Sequence, residues 1–428
     1  MKTAILTLTF LTAISSYAAP PEVSSGSAVR ETFHESPVAE SPEQPEARLT
    51  KNWGGARTRL SDAGVDVGVI YKLDWNSVRS GGTEQNSEFL GNFDLRASFD
   101  LQKLLNWKGA NFFVYVLGNH GGDPTENVGD IQGTSNIETP ANTVKLYEAW
   151  LEQVAFNGTT SFLLGLHDLN SEFYVTPASG LFLNSSFGVG AELALTGANG
   201  PSIFPTTAPA FRVRIEPMEK FYFQSALFGA VAGNPDKPHG THISWQASDG
   251  FLFINELAYH AGYEEASEHK ELPMKFAIGA WTYTVPVQPV AGDEDSEKVG
   301  DFGLYLISEA ALSSGLSSFA RYGLTNGKAN TLASNLSAGF NLSGLFGRDQ
   351  DIFGLAVTRV GLSRDFRTVS ATSGTILAST ETTWELTYRA QLVPGIVLQP
   401  DLQYVVNPGG DTSLDNAAVL AARLEISL

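Results

Sequence analysis

The alternation of apolar and polar side chains is the feature that most constrains how this chain folds. It runs without interruption through residues 65–75, 93–102, 211–216, 335–342 and 384–392. Because successive side chains on a strand point to opposite faces, each of these stretches predicts a strand with one apolar and one polar face. The chain is therefore predicted to be all-β.

The last stretch of the sequence narrows the fold further. Its apolar face consists of Ala418, Leu420, Ala422, Leu424, Ile426 and Leu428. The opposite face carries Arg423, Glu425 and Ser427. A terminal strand frays unless it is paired, whereas a barrel pairs its last strand with its first. We expect residues 65–75 to be the partner of this last strand.

Composition favours a membrane barrel over a soluble sandwich. Charged residues make up 17% of the 428 residues, below the roughly 25% of soluble chains. A sandwich of this length normally divides into domains, and no linker interrupts residues 49–428. Short turn signals alternate with long polar inserts at residues 120–143, 234–250, 264–273 and 286–300. The pattern predicts a closed antiparallel transmembrane β-barrel of about sixteen strands, with long extracellular loops and short periplasmic turns.

Two segments precede the predicted barrel domain at residues 49–428. Residues 1–18 combine Lys2, an apolar run and small residues before a cleavage site after Ala18, which predicts a signal peptide and export. Residues 19–48 are rich in proline and glutamate and contain few aliphatic residues, which predicts a disordered acidic linker.

Several function classes are disfavoured by the same composition. The chain has no cysteine and a formal net charge of −19, so thiolate metal sites are excluded and a nucleic-acid partner is disfavoured. His239 and His242 have no third ligand at a clear spacing, and we expect no metal there. No nucleophile elbow, phosphate loop or dinucleotide fingerprint is present, so neither an enzyme nor a cofactor is expected.

Several segments of residues 49–428 match, in the same order, those of one known family. They are LTKNWGGARTRLSDAGV (49–65), FFVYVLGNHGG (112–122), YEAWLEQ (147–153), GLHDLNSEF (165–173), GLFLNSSFGVG (180–190), NGPSIFP (199–205) and ELTYRAQLVPGIVLQPDLQYVVNPGG (385–410). With these segments the chain resembles the carbohydrate-selective porins (OprB-like) of Gram-negative outer membranes.

The resemblance implies a sixteen-stranded barrel, a homotrimer in outer-membrane lipid, that admits monosaccharides or small oligosaccharides by passive diffusion. It also implies insertion by the outer-membrane assembly machinery. Members of the family tend to end in Phe, whereas this chain has Leu428.

The polar faces of the strands supply candidate pore-lining residues. A sugar is bound by hydrogen bonds from charged groups and by the flat faces of aromatic rings. In residues 145–156 the alternation places Glu148, Trp150 and Glu152 on the lumen face and Tyr147 on the lipid face. An interfacial position for Trp150 is an open alternative, because tryptophan is common in aromatic girdles.

Two further groups of candidates come from basic side chains and from one loop. Arg96, Arg212 and Arg214 lie on polar faces and are predicted to form a basic wall opposite the carboxylates. The segment GLHDLNSEF (165–173) follows a glycine-bearing strand, and the resemblance implies that it enters a constriction loop, with a polar turn as the open alternative. Its candidates are His167, Asp168, Asn170 and Glu172.

Two alternatives to a sugar-selective porin stay open at this point. One is a general porin without sugar preference, and the other is a secreted carbohydrate-active β-protein, whose carboxylates would have to stand at a glycosidase spacing. Block of single-channel current by sugar distinguishes the first from a selective porin, and hydrolysis of a glycoside would reveal the second.

Overall fold

The strands of the computed structural model form a closed antiparallel barrel. The structure describes residues 47–244, 246, 248–262, 272–293 and 295–428. Sixteen strands occur in these described residues, which confirms the predicted number and closure. The predicted signal peptide, residues 19–46 of the predicted linker and most of the insert at 264–273 lie outside the described residues.

Each strand pairs with its two neighbours in chain order, and the ring closes between the first and the last. The strands are β1 Val65–Ser80, β2 Ser87–Asp100, β3 Ala110–Gly121, β4 Thr143–Ala155, β5 Thr160–His167, β6 Ala208–Met218, β7 Phe221–Gly229, β8 Phe251–Ala261, β9 Met274–Tyr283, β10 Phe302–Ser313, β11 Leu316–Thr325, β12 Leu332–Ser343, β13 Ile352–Leu362, β14 Thr380–Val393, β15 Ile396–Val406 and β16 Ala417–Ser427.

The helices are short and lie in the connections. They are α1 Ala56–Asp62, α2 Leu101–Leu105, α3 Pro124–Val128, α4 Ala191–Ala194 and α5 Arg364–Thr372. α2 begins where the Asp100 carboxylate accepts the backbone N–H groups of Gln102 and Lys103, at 2.9 and 3.1 Å. Among the described residues, no helix has the length and the hydrophobicity that crossing a lipid bilayer requires.

The seam between β1 and β16 follows the predicted pairing. Tyr71 lies opposite Ile426, and Leu73 lies opposite Leu424. These side chains belong to the apolar sets of both strands, so closure joins two apolar faces on the outside of the barrel. The expectation that the last strand pairs with residues 65–75 is confirmed.

Exposure alternates along the strands as a lipid-facing wall requires. In β10, Phe302, Leu304 and Leu306 are exposed, whereas Tyr305 and Ile307 are buried inside. Other large apolar side chains that are exposed on strands are Phe93, Leu164, Phe211, Phe223, Leu257, Phe276, Leu336, Trp384 and Leu420. A continuous apolar exterior over a polar interior is the arrangement of an outer-membrane barrel.

The connections differ in length between the two ends of the barrel. At the end where the chain enters β1, the connections at residues 219–220, 314–315 and 394–395 have two residues each. At the other end, the connections at residues 122–142 and 168–207 are the longest on the early strands. Both fold into the lumen, where wall carboxylates accept their backbone N–H groups. The second of these inward loops forms one side of the cavity described below.

Candidate pore constriction

The loop at residues 168–207 fills one side of the barrel with an apolar core. Leu169, Phe173 and Tyr174 pack with strand residues that include Phe228 and Trp281. Further along the loop, a second cluster consists of Ala178, Leu181, Phe182 and Phe187 with Phe319 and Ala356. Because burial of apolar surface favours the folded loop by roughly 25 cal/mol per Å², the loop is held against β6 to β13 rather than in the middle of the lumen.

Wall carboxylates bind the backbone of the loop at intervals along its length. Glu256 on β8 accepts the N–H of Tyr174 at 3.0 Å, and Glu309 on β10 accepts that of Ala178 at 3.2 Å. On β14, Glu385 accepts the N–H of Leu183 at 2.5 Å and that of Asn184 at 3.0 Å. These bonds satisfy backbone groups that would otherwise be buried without partners.

Two wall glycines allow the loop to approach closely. A Cβ at Gly354 on β13 would lie 2.6 Å from Leu181 Cδ2 and 2.9 Å from Phe182 Cζ. A Cβ at Gly323 on β11 would overlap the carboxylate of Glu192 and lie 2.7 Å from the Tyr174 hydroxyl. Side chains at these positions would push the loop inward.

The loop at residues 122–142 adds a second inward layer. Glu381 on β14 accepts the backbone N–H of Ile131 at 2.9 Å and that of Gln132 at 3.2 Å. The two loops also bond to each other, because the N–H of Asn136 donates to Leu183 O at 2.7 Å and the N–H of Ser185 donates to Gly133 O at 2.9 Å. Among the described residues, a cavity lies between the two loops and the first strands and the last.

The passage is a cavity of about 380 Å³ between the two loops and the wall formed by β1 to β4 and β16. Sites for small molecules have volumes of roughly 300–1,000 Å³. We call this cavity the eyelet. The side chains that line it from the wall are Ile70, Lys72, Asn92, Asp94, Arg96, Tyr115, Tyr147, Arg423 and Glu425, and the loop side includes Glu138, Asp168, Asn170, Phe182 and Phe204.

Charged groups of both signs stand side by side in the eyelet. Asp94 lies 3.5 Å from Lys72 Nζ and 3.7 Å from Arg96 Nη2, and it accepts the Tyr115 hydroxyl at 2.6 Å. The Arg96 guanidinium lies 4.7 Å from the centre of the Tyr115 ring. Arg423 on β16 lies 2.7 Å from Asp74 on the neighbouring strand β1. The eyelet therefore presents donors, acceptors and ring faces together.

Burial raises the pKa of two loop carboxyls in the eyelet. Burial, with neighbouring Asp123 and Asp130, raises the pKa of Glu138 to about 10. Burial and the adjacent Glu148 raise the pKa of Asp168 to about 7, although Asp168 accepts the Tyr147 hydroxyl at 2.6 Å. A protonated carboxyl donates as well as accepts a hydrogen bond, so both groups can serve an uncharged hydroxylated solute.

Most of the candidates on β4, β5 and β6 meet in a buried network at the base of the long loop. Arg212 Nη2 lies 2.8 Å from Glu152 and 2.6 Å from Glu172. His167 Nδ1 lies 2.9 Å from Glu148. The carboxylates of Glu148 and Glu172 thus flank the His167 ring, whose Nε2 is 3.9 Å from Glu172.

This network fastens the loop rather than lining the passage. Burial by itself raises the pKa of Glu172, but the Arg212 guanidinium holds it well below the usual value. Trp150 is buried inside the barrel, donates to Glu148 at 3.1 Å and stacks on Phe113, so it is not a residue of an outer aromatic girdle. None of Glu148, Trp150, Glu152, His167, Glu172 and Arg212 belongs to the lining of the eyelet.

The remaining candidates divide between the eyelet and a separate part of the lumen. Arg96, Asp168 and Asn170 line the eyelet. Arg214 lies elsewhere, 2.8 Å from Glu216 and 4.0 Å from the centre of the Tyr222 ring. The basic wall expected from Arg96, Arg212 and Arg214 is therefore not one surface, and sugar contact by any of these residues stays a prediction.

Tyr147 corrects the face assignment on β4. The alternation placed it toward lipid, but it is buried and lines the eyelet. The register of β3 and β4 shifts where Tyr115 pairs with Glu148 and Val116 pairs with Leu146, which leaves Tyr147 as the extra residue of a β-bulge. A bulge turns two successive side chains to one face, so Tyr147 and Glu148 both point inward.

Four further eyelet residues were not among the predicted pore-lining candidates. They are Lys72, Asp94, Arg423 and Glu425, which lie on the lumen side of their strands by simple alternation. The alternation cannot distinguish them from the other lumen residues, because the loop that covers the opposite wall decides which lumen residues border the eyelet.

Comparison with known proteins agrees with this geometry. The family described as "Carbohydrate-selective porin, OprB family" matches residues 84–428, most of the chain. The chain belongs to this family. The resemblance noted from its segments is confirmed, and the chain is accordingly a carbohydrate-selective porin of a Gram-negative outer membrane and a channel rather than an enzyme.

Individual relatives of this porin are distant in sequence and similar in fold. It is 24% identical to Porin B of Pseudomonas aeruginosa over 416 residues, which cover 87% of this chain and 90% of that protein. The high pH structure of Pseudomonas putida OprB has a TM-score of 0.79 at 21% identity and covers 91% of this chain and 100% of that one. The outer membrane channel DcaP of Acinetobacter baumannii has a TM-score of 0.53 at 10% identity, with 86% and 98% covered.

Proposed function

We propose that the eyelet is where this porin distinguishes sugars from other small solutes. The observation that carries the proposal is the joint presence of Arg96, Asp94 and Lys72 with the rings of Tyr115 and Tyr147 on one side of the cavity. Sugar hydroxyls need paired donors and acceptors, and the apolar faces of sugar rings pack on aromatic rings. Charged side chains make the stronger hydrogen bonds in such a set.

Internal pairing of these charges suits passage rather than capture. Asp94 is shared by Lys72, Arg96 and the Tyr115 hydroxyl, so a sugar must compete with existing bonds at each step. Conduction requires binding that favours entry but is weak enough for release. Transit of monosaccharides and small oligosaccharides by passive diffusion fits both conditions.

The membrane context of the channel follows from the same family. We propose that residues 1–18 are removed as a signal peptide, that residues 19–48 form a periplasmic linker before the barrel domain at 49–428, and that the outer-membrane assembly machinery inserts the barrel. Three copies form the working porin in this proposal. The long connections face the exterior of the cell, as they do in outer-membrane barrels generally.

Planar-bilayer conductance of the purified porin tests the proposed selectivity. The current steps are recorded while glucose, maltose and an uncharged non-sugar solute of similar size are titrated in turn. We expect both sugars to reduce the current more than the non-sugar solute does. Current steps equally indifferent to all three solutes would instead show that the eyelet does not select sugars.

The variant Arg96→Gln connects this result to the eyelet. It keeps a hydrogen-bonding side chain, although a shorter one, and removes the charge that pairs with Asp94. Arg214→Gln is the matched control, because Arg214 faces the lumen outside the eyelet lining. We expect sugar block to weaken in Arg96→Gln and to be unchanged in the control.

A further inference from the structure

A basic surface lies at the end of the barrel that carries the short connections. Residues 48–66 and 100–108 hold six basic side chains and three carboxylates. The basic residues are Arg48, Lys51, Arg57, Arg59, Lys103 and Lys108. This local excess of positive charge stands out in a chain whose formal net charge is −19.

The two segments form one fixed surface beside the first three strands. Lys103 Nζ on α2 donates to Ser61 O on α1 at 3.1 Å, and the N–H of Asp100 donates to Gly64 O at 2.8 Å. Arg57 fastens α1 to the seam, because it donates to Val67 O at 2.8 Å and to Leu428 O at 3.0 Å. We call this surface, residues 48–66 with 100–108, the basic rim.

Three cations of the basic rim have their charge available. Lys51, Arg59 and Lys108 are exposed, and their side chains form no ion pair or hydrogen bond with another described residue. Cations elsewhere at the same end are paired, as Arg348 is with Asp351 at 2.5 Å and Arg389 is with Glu425 at 2.9 Å. The available charge is therefore concentrated beside β1 to β3.

Large apolar side chains are exposed among these cations. They are Trp53, Leu60, Leu104, Leu105 and Trp107, and Leu105 is 69% exposed. The apolar surface continues onto the outer wall through Phe99 and Phe112, whose ring centres are 5.8 Å apart. Tryptophan and leucine beside lysine and arginine, at the edge of a lipid-facing wall, are the composition of a membrane-interface surface.

We propose that the basic rim binds the headgroups of anionic phospholipids in the periplasmic leaflet. Lys51, Arg59 and Lys108 attract the phosphates, while Trp53, Leu105 and Trp107 enter the boundary between headgroups and acyl chains. Peptidoglycan is also anionic, but it offers no apolar layer for the exposed rings. The inference depends on the orientation of the barrel in the membrane and is independent of whether the eyelet selects sugars.

Lipid retention by the full-length protein tests this inference. The protein is folded in micelles that contain equal amounts of phosphatidylglycerol and phosphatidylcholine, purified, and analysed for the ratio of the two retained lipids. We expect the wild type to be enriched in phosphatidylglycerol. Lys51→Gln/Arg59→Gln/Lys108→Gln should reduce that enrichment by at least about fivefold at low salt, since each cation near a surface contributes about that factor.

A matched variant removes three exposed cations from the opposite end, Lys237→Gln/Lys298→Gln/Lys328→Gln, and should keep the wild-type enrichment. Heat-dependent gel mobility and channel conductance show that each variant is folded and open. If the triple variant misfolds, Lys51→Gln/Lys108→Gln replaces it. Equal enrichment in the wild type and the rim variant overturns the proposal. The proposal is also overturned if the rim variant loses binding to purified peptidoglycan sacculi while its lipid retention is unchanged.

Discussion

Glu172 binds the guanidinium of Arg212 with both carboxylate oxygens, 2.6 Å from Nε to Oε2 and 2.6 Å from Nη2 to Oε1. Both side chains are almost completely buried. The pair joins the start of the inward loop to β6, on the wall away from the eyelet. A charge pair buried this deeply stabilises the fold only while both partners are present.

Loss of the Arg212 charge is expected to destabilise the barrel strongly. In Arg212→Met, Glu152 and Glu172 would remain buried without their cation, which costs about 3–5 kcal/mol in comparable cases. Urea unfolding in lipid vesicles measures the effect. The double variant Arg212→Met/Glu172→Gln should recover part of the loss, whereas Arg214→Met, at a more exposed pair, should cost less than about 1 kcal/mol. Equal losses for Arg212 and Arg214 would contradict the anchoring role.

Enlarging a wall glycine is expected to displace the inward loop. Valine at Gly354 would overlap Leu181 and Phe182, at a cost of about 1–3 kcal/mol for overpacking. Single-channel conductance should change, because the loop forms one side of the eyelet. Gly300→Val is the control, since a Cβ there approaches no atom closer than 3.7 Å apart from its chain neighbours. An unaltered conductance in Gly354→Val would show that the loop accommodates the valine without moving into the eyelet.

Ion selectivity should respond to the charge of Arg96. Its removal in Arg96→Gln leaves Asp94 with Lys72 as the nearby cation, so the eyelet becomes more negative. The permeability ratio of K⁺ to Cl⁻ should rise, by up to about fivefold if the change in interaction is about 1 kcal/mol. Reversal potentials in a salt gradient measure the ratio. An unchanged ratio would place Arg96 outside the path of the ions.

The inward loop should loosen as the pH rises through 7. Burial raises the pKa of Glu192 to about 7, and its Oε1 accepts the Tyr174 hydroxyl at 2.9 Å. A carboxyl whose pKa is raised by folding favours the folded state fully below its unfolded pKa, and this contribution is lost as the pH rises through the folded pKa. Arg321 opposes the shift without cancelling it.

Hydrogen exchange of residues 186–196, corrected for the intrinsic effect of pH, follows this loosening. Protection should be greater at pH 5 than at pH 8 in the wild type. Glu192→Gln removes the ionisation but keeps the size of the side chain. In this variant the protection of residues 186–196 should therefore be the same at pH 5 and at pH 8. A wild-type profile that is flat across this range would contradict a buried, protonated Glu192.

Particular residues show how far alternation alone can predict this fold. It placed Leu73 and Leu424 on the apolar faces of the two strands that meet at the seam. This succeeded because the outward side chains of every strand contact lipid, so the same alternation recurs along each strand. It failed at Tyr147, where one extra residue reverses the alternation. It also grouped Arg96 with Arg212, because both lie on polar faces, although one lines the eyelet and the other is buried beside the loop.

The amino-acid sequence by itself determined that this chain forms a closed membrane barrel and which face of each strand meets lipid. These properties depend on local periodicity, which a strand expresses wherever it lies. Only the tertiary structure decided which lumen side chains border the passage. That depends on contacts far apart in the chain, such as those of Leu183 with Glu385 and of Ile131 with Glu381, which no local pattern encodes.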